Sequence, residues 1–171
     1  MKLLSRYQQL PRALRLLVEV ALFIGLWFGI QAWQTRTMPR GPLPAVSGVD
    51  IRNASHLALP ADGDGPYMVH FWASWCPICK LMESSVTDVA ADYPVIGIAL
   101  QSGSDSEVLD FMREHGMDYP MLNDPDGQIS RRFGVNGVPS TFIVDKNNTI
   151  RFVERGYSSA WGLKARLWYA K

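Results

Sequence analysis

Two cysteines, Cys76 and Cys79, are the only ones in this chain of 171 residues, and they sit in Phe71-Trp-Ala-Ser-Trp-Cys-Pro-Ile-Cys-Lys80. Two intervening residues bring the second thiol round one helical turn to face the first. In that arrangement Cys76 can attack a disulfide and Cys79 can resolve the mixed disulfide that forms. The apolar run ending at Trp72 reads as a strand, and a helix is expected from about Pro77, so the first cysteine falls at a helix N-terminus. Unpaired backbone N–H groups and the helix dipole favour a thiolate there, and such positions bring a cysteine down from about 8.5 to roughly 3.5–7.5. Pro77 suits the first helical turn, where its missing N–H has no partner to lose.

Other uses of the pair are weaker. A structural bridge closing so short a loop gains little entropy. Zinc needs two more ligands, and His56, His70 and His115 stand at no ligand spacing. No metal site is therefore expected. Two thiolates could hold a soft ion such as Cu(I), so a copper-handling protein is the alternative function. A peroxidase using Cys76 ranks lower. Trp75 can cover the helix start or form an apolar surface on which a protein substrate lands, while Trp72 reads as core.

The elements that must position this pair follow from pattern. Tyr67–Trp72 is a short apolar strand. Ile78 to Asp92 carries apolar residues at helical spacing, and Pro94–Leu100 is a run of the kind buried on both faces. Ser104 or Asp105 can cap a helix running to His115, with Gly116 as its stop. Tyr119–Leu122 predicts a strand, 123–127 a turn, and Gln128–Phe133 a helix. Residues 141–144 and 149–153 form a hairpin, and Ser158–Tyr169 a closing helix. Residues 45–59 contribute an edge strand or two, and 60–66 a turn. The fold class is α/β, a mixed central sheet flanked by helices.

The N-terminus differs in kind. Lys2, Arg6, Arg12 and Arg15 precede an apolar run to Trp33, close to the roughly 20 residues that cross a bilayer. Arg15 can pair with Glu19 one turn later. Basic residues before the run predict a cytoplasmic segment over 1–15, and no small-residue cleavage pattern follows it, so 16–34 is expected as an uncleaved transmembrane anchor. A Pro-rich spacer over 35–46 and a folded domain over 47–171 complete the organisation. With 17 basic and 16 acidic side chains and a net charge of +1, there is no basic face for nucleic acid. His56 and His115 are expected on the surface or in loops. Asn53-Ala-Ser55 and Asn147-Asn-Thr149 are chance matches to a glycosylation pattern.

From Tyr67 to Tyr169 the chain resembles the thioredoxin superfamily. The resemblance rests on the Trp-Cys-x-x-Cys-Lys core and on Phe133-Gly-Val-Asn-Gly-Val-Pro-Ser-Thr-Phe-Ile-Val-Asp145. It implies a thioredoxin-like fold, a cis Pro139 against the cysteine pair, and Val138 backbone groups offered to a substrate chain. The extra βα element between Pro94 and Tyr119, together with the anchor, resembles membrane-tethered periplasmic proteins of the TlpA/ResA/cytochrome-maturation type and the thioredoxin-like members of bacterial suppressor-of-copper-sensitivity systems. That implies a bacterial inner-membrane protein, single-pass, with its C-terminal domain in the periplasm.

Three positions depart from the family pattern. His70 stands where thioredoxin has a buried aspartate, and is either a proton-transfer group or a packed core histidine. Ser84 replaces a helix-kinking proline. The glutamate of cytochrome-maturation relatives falls at Met82, and Glu83, one residue and about 100° further round, is not expected to take its role. Exchange needs no cofactor. Pro77-Ile78 holds no histidine to stabilise the thiolate further, which favours a reductant of protein disulfides supplied with electrons by a transmembrane thiol reductase.

Overall fold

The computed structural model describes residues 11–63 and 65–171. Most of the basic segment expected over 1–15, including Lys2 and Arg6, lies outside the described residues, as does Asp64 in the 60–66 turn. The chain divides into two compact units that meet between Arg36 and Thr37. In the first, α1 (Arg12–Gln34) is a single helix, about 34 Å long at 1.5 Å per residue. Leu16, Leu17, Leu22, Phe23, Leu26 and Phe28 all stand exposed along it. By length and composition α1 is a candidate membrane span.

The second unit is built on a six-stranded sheet. Its elements are β1 (Gly41–Pro42), β4 (Tyr67–Trp72), α2 (Pro77–Ala90), β5 (Val95–Leu100), α3 (Asp105–Glu114), β6 (Met121–Asp124), α4 (Gln128–Arg132), β7 (Ser140–Val144), β8 (Thr149–Arg155) and α5 (Ala160–Tyr169). Two further strands, β2 (Val46–Val49) and β3 (His56–Leu59), pair only with each other. The order across the large sheet is β1-β8-β7-β4-β5-β6. Strands β4, β5 and β6 run parallel, while β7 lies antiparallel to both β4 and β8. This is the thioredoxin-like arrangement expected from the sequence.

Alternation along the central strands divides the core between the two faces. Met68 and Trp72 point towards α2, α3 and α5, joining Met82, Val86, Val108, Met112, Leu163 and Leu167. Val69 and Phe71 point the other way, towards Phe133, Phe142, Val46 and Leu59. Rings of Phe71, Phe133 and Phe142 meet at centroid distances of 5.1–5.6 Å. On the first face the Trp72 indole N–H donates to the Met121 sulfur at 3.2 Å. Gly97 in β5 permits this, because a Cβ there would strike the same Met121 thioether.

Four expectations are corrected. The segment 35–46 is extended but not a free spacer. Gly41 and Pro42 pair with Ile150 and Thr149 as an edge strand, and Met38 and Leu43 are buried in the second core face. Residues 45–59 add no edge to the large sheet; they form a separate hairpin. The strand expected at Tyr119–Leu122 begins two residues later, because Tyr119 packs into the core while pairing with β5 starts at Met121. Asp124, expected in a turn, ends that strand buried, its carboxylate accepting the Ile129 and Ser130 N–H groups at the start of α4.

Candidate active site

Strand β4 ends at Trp72, four residues before Cys76, and α2 begins one residue after it. Cys76 is the N-cap of α2, with extended backbone (φ −91°, ψ 112°), and Pro77 fills the first helical turn. The capping acceptor is the thiol sulfur itself, which takes the Cys79 N–H at 3.2 Å. A sulfur held against a free helix N–H is where negative charge on that atom is stabilised. Both cysteines are free and nearly enclosed, at 4% and 3% exposure.

The loop before β7 closes the other side. Its Val138–Pro139 peptide is cis, as the resemblance implied. The Cys76 thiol donates to the Val138 carbonyl at 3.6 Å, within range for sulfur. Pro139 is buried and Val138 half-buried. A second cis peptide, Leu59–Pro60, lies outside the site and was not foreseen.

Around the pair, Trp75, Ile78 and Leu81 are exposed by 58%, 45% and 70%. They form an apolar rim on one side of the helix start, with Pro77 also exposed. The Trp75 indole N–H is anchored on the Gln101 carbonyl at 3.0 Å. Trp72, by contrast, is core.

Of the two thiols, Cys79 is the deeper in chemistry. Burial pushes it far above the ordinary cysteine range, the hydrogen bond with Cys76 adds to this, and the charges of Cys76 and Glu83 press the same way. His70 lies on the same sheet face as Met68 and Trp72, fully enclosed, with Nδ1 3.0 Å from the Thr141 hydroxyl across the β4–β7 pair. Burial pulls its titration down to about 4, so the imidazole is neutral near pH 7. Its recorded partner is Thr141, which fits the reading of a packed core histidine.

Glu83, not expected to take the glutamate role of the relatives, and His115, expected only on the surface or in a loop, meet beside α2. Glu83 is four residues after Cys79 on α2, and positions four apart share a helix face; counting from Cys79, the one-residue offset from Met82 leaves both on that face. Glu83 Oε2 lies 2.8 Å from His115 Nδ1, the donor being set by the tautomer of the ring, while its other carboxylate oxygen is buried with no hydrogen-bond partner. His115 is exposed, as expected, and stacks on Phe111 at 4.0 Å. Helical spacing from Cys79 could have found Glu83; nothing in the local sequence announces His115. His56 is exposed on β3. Among the described residues no three His, Cys, Asp or Glu side chains converge as metal ligands.

Residues 43–153 match the AhpC/TSA family. The chain belongs to that family. A thioredoxin-like protein of Haemophilus influenzae is 31% identical over 71% of the chain and 73% of its own length. The thiol:disulfide interchange protein DsbE homolog of Paracoccus denitrificans is 32% identical, over 79% of the chain and 80% of its own length. Among solved structures, a DsbF homologue from Corynebacterium diphtheriae superposes with a TM-score of 0.66 at 22% identity, covering 74% of this chain and 84% of that one. With the family and these relatives, the chain is a thioredoxin-like thiol–disulfide oxidoreductase; the solved structure shows the fold.

Proposed function

We propose that this chain exchanges disulfides with protein substrates through Cys76 and Cys79 while tethered to a membrane by α1. Cys76 attacks a substrate disulfide and forms a mixed disulfide; Cys79 then displaces the substrate thiol and closes the Cys76–Cys79 bond. The observation carrying this is the Cys76 sulfur itself, held between the Cys79 N–H at 3.2 Å and the Val138 carbonyl at 3.6 Å. An attacking sulfur so fixed leaves the Val138 backbone and Pro139 as the edge along which an extended substrate strand can lie. Trp75, Ile78 and Leu81 supply the apolar surface beneath it.

The proposed direction is reduction of substrate disulfides. Support comes from the modest help given to the Cys76 sulfur: its recorded hydrogen-bond donor is one backbone N–H, and Ile78 adds no charge. The oxidised pair formed in each turnover then needs an electron source, for which a transmembrane thiol reductase is the fitting partner. With basic residues ahead of α1, the folded unit belongs on the periplasmic side of a bacterial inner membrane in a single-pass topology.

Trapping tests the exchange. In cells carrying Cys79→Ala, mixed disulfides between Cys76 and its clients should accumulate and vanish on reduction. A Cys79→Ala chain that captures no client, beside an equally inert Cys76→Ala control, would overturn the reading.

A further inference from the structure

The buried Cys79 thiol must lose its proton within the protein before it can close on Cys76, and the next carboxylate after it along α2 is Glu83. Glu83 is one turn further along α2, where side chains lie about 5–6 Å apart at Cβ. One of its oxygens is buried and unpartnered. The other is held at 2.8 Å by His115, whose ring is fixed by stacking on Phe111, itself packed 5.2 Å from Trp72. The Glu83 side chain is 17% exposed and that of His115 30%, so the pair leads outwards. Both line an open groove shared with Lys80, Thr87 and Asp88.

We infer that Glu83 and His115 form the proton exit for the resolving thiol: Glu83 takes the Cys79 proton as that sulfur closes on Cys76, and His115 passes it to water. This rests on the exchange reading above. In the step, the Cys79 S–H bond breaks and its proton goes to the Glu83 carboxylate. The Cys79 sulfur forms the bond to Cys76, and the Cys76–substrate bond breaks with its electron pair on the leaving substrate thiolate. The protein dithiol is thereby oxidised by two electrons and the substrate disulfide reduced by two.

The surroundings favour this route. Lys80, Asp88 and His115 share the groove with Glu83, and Cys79 and Tyr119 both feel its charge. Charge on Glu83 raises both Cys79 and Tyr119, so carboxylate and thiol are electrostatically coupled. His70, the other candidate acceptor, is fully enclosed with Thr141 as its recorded partner, whereas Glu83 and His115 reach solvent.

The test is stopped-flow reaction of the reduced full chain with excess dithiobis(nitrobenzoate), followed by release of the coloured thiol. A first, concentration-dependent equivalent reports attack by Cys76. A second, concentration-independent equivalent reports resolution by Cys79. Glu83→Gln is expected to slow the second phase on the order of 10²-fold at neutral pH, the deficit shrinking as pH rises and hydroxide replaces the carboxylate. His115→Gln should slow the same phase by less, Glu83→Asp should recover part of the rate, and the double variant should match Glu83→Gln alone.

The sign separates this from a purely electrostatic role. If Glu83 acted only by its charge, removing it would ease formation of the Cys79 thiolate and speed the second phase. A faster or unchanged second phase in Glu83→Gln, or a double variant slowed by the product of the two single effects, overturns the inference. Should Glu83→Gln fail to fold, an unchanged pH profile in His115→Gln overturns it equally. A wild-type chain releasing only one equivalent, like Cys79→Ala, would instead overturn the exchange reading itself.

Discussion

The Cys76 thiol and the Val138 carbonyl oxygen, 62 residues apart in the chain, lie 3.6 Å from one another. That contact brings the start of α2 against the loop before β7, and the substrate path proposed here runs along Val138 and over Trp75, Ile78 and Leu81.

Trp75 is the largest member of that rim and the most readily tested. Its exposed ring makes one anchoring hydrogen bond, to Gln101, so truncation leaves the fold intact. Trp75→Ala is expected to lower kcat/KM for a protein disulfide about tenfold, the size of effect that a buried interfacial anchor commonly has, and to leave reduction of a small disulfide within about twofold. Parallel assays with insulin and with oxidised glutathione check this. Equal losses on both substrates would mean that Trp75 acts on the cysteines and not on the client.

His70 should leave a signature in the pH dependence of stability. Its titration falls from 6.5 in the unfolded chain to about 4 in the folded one because burial disfavours the charged ring. Between those values the unfolded state binds the extra proton, so stability rises with pH over this interval. The contribution is complete above about pH 6.5 and is lost as pH falls through about 4, a span worth on the order of 3 kcal/mol. Urea midpoints of wild type and His70→Asn, measured from pH 4 to 7, should show this slope in the first and not in the second. Parallel slopes would place the titrating group elsewhere.

Legibility followed the range of the interactions involved. Cys76 at a helix start could be read from an apolar run, a short loop and a proline, all within about ten residues. The central strands could be read because all six residues of Tyr67–Trp72 are apolar or enclosed. The role of residues 38–43 could not, since Gly41–Pro42 becomes a strand only by meeting β8 more than a hundred residues later. The hairpin of β2 and β3 looked like sheet edge for the same reason: its alternation shows strands but not their partners. The contact of Glu83 with His115 joins two helices, and helical spacing identifies only one end of it.

Core packing on the face away from the cysteines sets the stability. Phe142 is fully buried between Phe71 and Phe133, at 5.6 Å and 5.3 Å between centroids. Phe142→Ala removes both ring contacts and leaves a cavity, at a cost of about 3–5 kcal/mol. Denaturant unfolding of the wild type and this variant measures it. A loss under about 1 kcal/mol would mean that the neighbouring rings collapse into the space.

The tether makes a separate prediction. Arg12–Ile30 is apolar enough to span a bilayer, and none of it is buried within the protein. Full-length chain expressed in a bacterium should stay with the membrane fraction through an alkaline carbonate wash and leave it only with detergent. Release into the carbonate supernatant, or a mature N-terminus beyond residue 34, would exclude an uncleaved anchor.

Electron direction turns on how well the Cys76 thiolate is stabilised, since a strong oxidant is one whose reduced form is unusually stable. Here the sulfur receives a single backbone N–H, and neither Pro77 nor Ile78 brings a charge. The potential is therefore expected nearer to the roughly −270 mV of thioredoxin than to the roughly −120 mV of the strong periplasmic oxidant. Ile78 is the position that can shift it: exposed by 45%, it can accept a polar replacement without disturbing the core. Ile78→His would set an imidazolium beside the thiolate, stabilise the reduced form and raise the potential. A gain of about 30 mV corresponds to about 1.4 kcal/mol for a two-electron couple, a reasonable size for one partly exposed charge. Equilibration of wild type and variant in glutathione redox buffers gives both numbers. A wild-type potential near −120 mV would make this protein an oxidant and reverse the proposed flow of electrons through Cys76 and Cys79.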